Sequence, residues 1–144
     1  MSIEISPKSF FEQPSVADMR LISCPGAEEL CKLVDSHLVR WAREVGNTDV
    51  DTFIIPSDCP RFQSGDAKGL VKASTRGDDL YIFVDPGNYS VTYQLFGYEN
   101  HLSPDDHFQN LMRLIQAVAG RAHRISVIMP SLYGGRQPRR VSRE

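Results

Sequence analysis

The run Leu80-Tyr81-Ile82-Phe83-Val84 constrains the fold of this 144-residue chain more than any other stretch. Five apolar residues in succession, without polar alternation, describe a strand buried on both faces, as in the middle of a parallel sheet. The polar turn Arg76-Gly77-Asp78-Asp79 leads into it, and residues 86–102, with Gly87, Asn88, Gly97 and Asn100, read as the loop that follows. Ser103-Pro104-Asp105-Asp106 then marks a helix start, with serine as cap, proline at the first helical position and acids behind it. Phe108, Leu111, Met112, Ile115 and Val118 form its apolar stripe, Gly120 and Arg121 close it, and Ile125-Ser126-Val127-Ile128-Met129 is the next buried strand. Strand, helix and strand at this spacing make a crossover unit, so the expectation is an α/β domain with a mostly parallel sheet and helices on its faces.

Upstream, Arg20-Leu21-Ile22-Ser23-Cys24 is a short buried strand ending at Pro25-Gly26. Leu30, Leu33, Val34, Leu38, Trp41 and Val45 fall at helical spacing, with Glu28 and Glu29 in the first turn, Arg40 and Arg43 near the end and Gly46 as the stop. That polarity suits the helix dipole at both ends. Thr52–Pro56 and Gly69–Ala73 read as further strands, with room for a short antiparallel excursion between residues 52 and 74. Residues 1–18, with Pro7, Pro14, Phe10 and Phe11 at no clear period, read as an extension lying over the domain.

The composition, 41% apolar and 24% charged, is that of an ordinary globular domain. No apolar run approaches the roughly 20 residues that cross a bilayer, and the N-terminus lacks the pattern of a secretion signal. Cys24, Cys31 and Cys59 form no CxxC pair and are odd in number, which points to small buried thiols in a reduced, cytoplasmic protein. His101, Asp105, Asp106 and His107 are potential metal ligands, but their order is better explained by the helix cap. No phosphate-binding P-loop, dinucleotide GxGxxG, hydrolase GxSxG or metalloprotease motif is present.

Charge is distributed unevenly. Residues 1–120 hold 10 Lys/Arg against 17 Asp/Glu, whereas residues 121–144 hold six arginines against Glu144 alone. Nucleic acid is the weakest reading of this basic end, because Tyr133 is the only aromatic among its arginines. Ligands of open α/β sheets bind beyond the carboxyl ends of the strands, and that is where Pro130-Ser131-Leu132-Tyr133-Gly134-Gly135-Arg136-Gln137-Pro138-Arg139-Arg140 lies. Adjacent glycines let backbone N–H groups approach an anion, and guanidinium forks match phosphate oxygens. A basic tail outside the fold is the alternative reading.

These residues resemble the ribose-phosphate pyrophosphokinase family. Arg76-Gly77-Asp78-Asp79-Leu80-Tyr81-Ile82-Phe83 is similar to the family's "RGKDVFII" strand, and Asn110-Leu111-Met112 with Leu114 to its "NLM-L" helix. The loop from Pro130 to Arg140 resembles the family's "PY-GYARQDRK", and Ser23–Leu30 its small-residue loop and following helix. The likeness runs in order through roughly residues 20–140, with the stretch 41–61 longer than usual.

The resemblance implies a phosphoribosyltransferase-like three-layer α/β/α domain, with residues 1–18 as extension and 19–144 as the N-terminal, ATP-site domain. It implies the reaction of Mg²⁺-bound ATP with ribose 5-phosphate to give AMP and PRPP, in a homo-oligomer whose ATP site is shared across subunits. It places Arg136, Gln137 and Arg139 at ATP, and Phe62, Ser64 and Asp66 in a loop that reads adenine from a neighbouring subunit. It assigns no catalytic residue and no metal ligand here, since the motifs of the family's catalytic second half are not found. The expectation is therefore a piece of a longer protein, inactive alone. Ser64 and Pro138 each stand where the family has an acid, which is the basis of the alternative, a non-catalytic associated regulatory subunit.

Overall fold

The computed structural model describes residues 5–12, 15 and 17–136. In chain order its elements are α1 (Pro7–Phe11), β1 (Met19–Ser23), α2 (Glu28–Glu44), β2 (Ser57–Asp58), β3 (Leu70–Val71), β4 (Asp79–Phe83), β5 (Thr92–Leu95), β6 (Tyr98–His101), α3 (Pro104–Val118) and β7 (Arg124–Ile128). The central sheet is wholly parallel, in the order β1-β4-β7, with Met19 paired to Asp79 and Asp79 to Arg124 at one end. The unbroken apolar run thus forms the middle strand, as its lack of alternation requires.

The two faces of that strand feed two cores. Leu80 and Ile82 join Ile22, Leu111, Leu114 and Val118 beneath α3, while Phe83 joins Leu21, Cys31, Leu38 and Ala42 beneath α2. With helices on both faces, the domain has three layers, α/β/α. Fully burying each large aliphatic side chain contributes about 2 kcal/mol, so these two faces dominate the stability.

Helix α2 is rotated relative to the stripe expected from sequence. Its buried face is Cys31, Asp35, Leu38, Val39 and Ala42, and Leu33 is 64% exposed. Small Cys31 and Ala42 let the helix approach the sheet, and Asp35 faces inward because its carboxylate accepts from the Phe53 N–H at 2.7 Å and the Thr52 hydroxyl at 2.9 Å. Trp41 lies at the flank, edge-on to Phe10 of α1 at 5.9 Å.

The expected strand at 52–56 is reduced to one parallel bridge, Leu21 with Ile54, held by backbone bonds of Leu21 to Phe53 and Ile55. The antiparallel excursion is present as β2 against β3. Two expectations need correction. Residues 92–101 form a β-hairpin rather than loop, turning through Phe96 (φ 51°) and Gly97 (φ 81°), the conformation of a two-residue hairpin turn. Strand β7 is an edge strand within the described residues, half-covered rather than buried, with Val127 and Ile128 exposed. Among the described residues no helix is long and apolar enough to cross a membrane.

All three cysteines are free and buried. Burial pushes the Cys31 thiol up to about 12 and the Cys59 thiol up to about 11, and raises Cys24 as well. Thiols held so far from ionisation are inert fillers, not nucleophiles.

Candidate functional site

At the carboxyl end of the sheet, the turn Pro86-Gly87 after β4, Pro104 at the start of α3 and the loop 131–136 after β7 enclose a cleft of about 320 Å³. Each wall follows from local sequence. Asp85 accepts from the Gly87 N–H at 3.0 Å and sets the first turn. Ser103 caps α3 reciprocally: its hydroxyl accepts from the Asp106 N–H at 3.2 Å, while Asp106 accepts from the Ser103 N–H at 3.0 Å. In the third wall Gly134 adopts φ 69° and the Gly135 N–H donates to the Leu132 carbonyl at 3.0 Å. That tight glycine turn places Arg136 at the rim of the cleft.

The first turn of α3 holds two loops at once. Arg61 donates to Asp106 at 3.2 Å, and the Tyr133 hydroxyl donates to Asp105 at 2.5 Å. Burial alone would raise the Asp106 carboxyl, but hydrogen bonds from Ser103 and the Arg61 guanidinium outweigh it and hold the group below its ordinary 3.8. Ionised Asp106 therefore favours the folded state above that value, and the contribution disappears as pH falls through the depressed folded value. Asp106→Asn is expected to lower stability at pH 7 and to flatten the acid limb of denaturation midpoints measured against pH. An unchanged acid limb would remove Asp106 from this account.

A sequence model of the N-terminal domain of ribose phosphate pyrophosphokinase matches residues 19–144. The chain belongs to this family. No curated protein matches the chain. Among solved structures, the hypoxanthine-guanine phosphoribosyl transferase of L. donovani aligns at 13% identity with a TM-score of 0.44, over 85% of this chain and 58% of that one. At that identity and score the family assignment rests on the sequence model alone.

The residues expected at ATP are distributed unevenly over this member of the family. Arg136 lines the cleft, whereas Gln137 and Arg139 lie outside the described residues. Phe62, Ser64 and Asp66 are not in the cleft wall; they form their own turn, in which Phe62 N–H donates to the Asp66 carbonyl at 2.7 Å. Phe62 is 47% exposed, with the Lys68 ammonium 5.9 Å from its ring centroid. Ser64 donates to the Asp66 carboxylate at 3.0 Å, and Arg61 lies over the Tyr93 ring at 3.9 Å, which joins this turn to the β5–β6 hairpin.

Sequence reasoning placed Tyr133 in the loop after β7, Asp105 at the start of α3 and Asn88 in the loop after β4, but did not find the bonds they make at this end of the fold. Their partners are remote in the chain: Asp105 lies 28 residues before Tyr133, and Asn88 donates to the Gly26 carbonyl 62 residues away at 2.8 Å. No set of three or more potential metal-ligating side chains is gathered among the described residues.

Proposed function

We propose that this chain supplies the ATP-binding half of a ribose-phosphate diphosphokinase. The placement of Arg136 carries the reading: this arginine of the family's glycine- and arginine-rich loop stands at the rim of a cleft beyond the carboxyl ends of the parallel strands. In the proposed reaction the anomeric hydroxyl of ribose 5-phosphate attacks the β-phosphorus of ATP. The new oxygen–β-phosphorus bond replaces the one to the α-phosphate oxygen, AMP leaves, and the hydroxyl proton is lost to base. Such a transfer depends on holding the phosphates in line and neutralising their charge, which suits guanidinium groups on a constrained turn. Magnesium enters this reading on the ATP phosphates, as part of the substrate.

The exposed Phe62 ring and the Asp66 carboxylate offer stacking and hydrogen bonding to a purine. Since they do not line the cleft, the same reading has them serve a neighbouring copy, and the assembly is a homo-oligomer. A second reading, a non-catalytic associated subunit, is favoured by Ser64, which stands where the family has an acid and spends its hydroxyl on one oxygen of the Asp66 carboxylate.

The decisive experiment is Arg136→Ala with Gln137→Ala in the full-length protein. Losing charge-assisted phosphate contacts is expected to raise the apparent ATP requirement by about tenfold or more. Unchanged kinetics would return the loop to a basic surface segment.

A further inference from the structure

Between strand β7 and Arg136 the chain is held at Met129, which packs against the core, and then at Tyr133. The Tyr133 ring stacks on Phe108 with centroids 4.4 Å apart and planes 12° from parallel, and its hydroxyl donates to Asp105 at 2.5 Å. Its N–H lies 3.2 Å from the Met129 sulfur. Phe108 and Asp105 both belong to α3, which is anchored in the core by Leu111 and Leu114. The hydrogen bond to Asp105 also raises the Tyr133 phenol. After this fastening come only the two glycines, and Gly135 packs with its Cα against Leu132 so closely that a Cβ would stand 3.0 Å from the Leu132 carbonyl oxygen. The direction in which Arg136 leaves the turn is thus set by where Tyr133 is held.

We infer that Tyr133 is the positioning residue for Arg136, aligning the guanidinium for an ATP phosphate through its stack on Phe108 and its bond to Asp105. The inference rests on the proposed function, since it needs Arg136 to contact phosphate. A guanidinium is only as effective as its alignment, because a bidentate contact fails with small displacements. Tyr133 touches no phosphate in this scheme. Its whole effect passes through Arg136, and that separates it from a residue that merely stabilises the fold.

A double-mutant cycle on the full-length protein tests this, with Mg-ATP binding read by calorimetry. Y133L, which loses ring and hydroxyl, is expected to weaken binding about fivefold, and R136A about tenfold. Added to R136A, Y133L should weaken binding no further, and Y133F, which keeps the stack, should recover part of the loss. The KM for ribose 5-phosphate and the thermal midpoint (within about 3 °C for a surface position) should not move. Full additivity of Y133L and R136A, or a Y133L effect shared by both substrates, overturns the inference while leaving the ATP reading intact. No effect of R136A alone sinks both. If Y133L does not fold, Y133F and D105A complete the cycle: each loses the hydroxyl bond, and weakening that persists in the R136A background overturns the proposal in the same way.

Discussion

Gly69→Ala is expected to cost about 3 kcal/mol of stability, enough to unfold a marginal domain at 37 °C. A Cβ on Gly69 would stand 2.3 Å from the Arg113 carbonyl oxygen, 2.6 Å from its carbon and 2.9 Å from the Leu114 nitrogen. All three atoms are backbone of α3, so no side chain can swing aside to make room. Relief requires β3 and α3 to separate, and α3 carries Leu114, which is fully buried against the sheet. Gly87→Ala is the matched control: its Cβ would meet only the Asp85 carboxylate at 3.4 Å, and a change under about 0.5 kcal/mol is expected. Urea midpoints of the two variants decide the point, and a Gly69→Ala midpoint equal to that of the parent would contradict it.

His107→Ala is expected to cost about 3 kcal/mol, for a different reason. The imidazole is fully buried, and its Nε2 donates to the Asn88 carbonyl at 2.7 Å. A carbonyl only accepts, so Nε2 carries the proton and Nδ1 faces the interior as a bare lone pair without a partner. Asn88 in turn donates to the Gly26 carbonyl, and the Gly26 N–H donates to Glu28 at 2.7 Å, where α2 begins without a side-chain cap on Ala27. One line of bonds thus ties α3, the loop after β4 and the loop after β1. Truncation opens a cavity and leaves the Asn88 carbonyl unpaired. His107→Leu refills most of the volume but not the bond, and should cost about 1–2 kcal/mol. Equal losses in the two variants would show that the hydrogen bond, not the volume, carries the effect, and no loss in either would refute the account.

The parts of the fold legible in sequence are those set by local chemistry. The alternation-free run at 80–84 located the middle strand, and Ser103-Pro104-Asp105-Asp106 located the start of α3 with its reciprocal cap. The hairpin was hidden because Phe96, not asparagine or aspartate, takes the left-handed position of its turn, and because Tyr98-Glu99-Asn100-His101 lacks apolar alternation. The apolar stripe of α3 was legible, since Leu111 and Val118 are buried and Phe108 and Ile115 pack against the core, but the burial of polar His107 and Asn110 was not, because periodicity reserves such positions for apolar residues. At the candidate site, the loop after β7 with its glycine pair and Arg136 was legible, and these residues line the cleft. The hold of Tyr133 on Asp105 and Phe108 was not, since no spacing rule links residues brought together only by a parallel crossover.

The register of the central sheet has a consequence during synthesis. Met19 pairs with Asp79, and Asp79 with Arg124, so no rung of this sheet joins neighbours in sequence. Loop closure must precede every strand pairing, which slows folding relative to a local hairpin or helix. On the ribosome, β1 emerges long before β4; α2 and residues 53–55 follow early enough to cover Leu21, but Ile22 packs beneath α3, which follows β4. For that interval the growing chain presents an apolar strand with a free edge, the form of nascent polypeptide that chaperones shield.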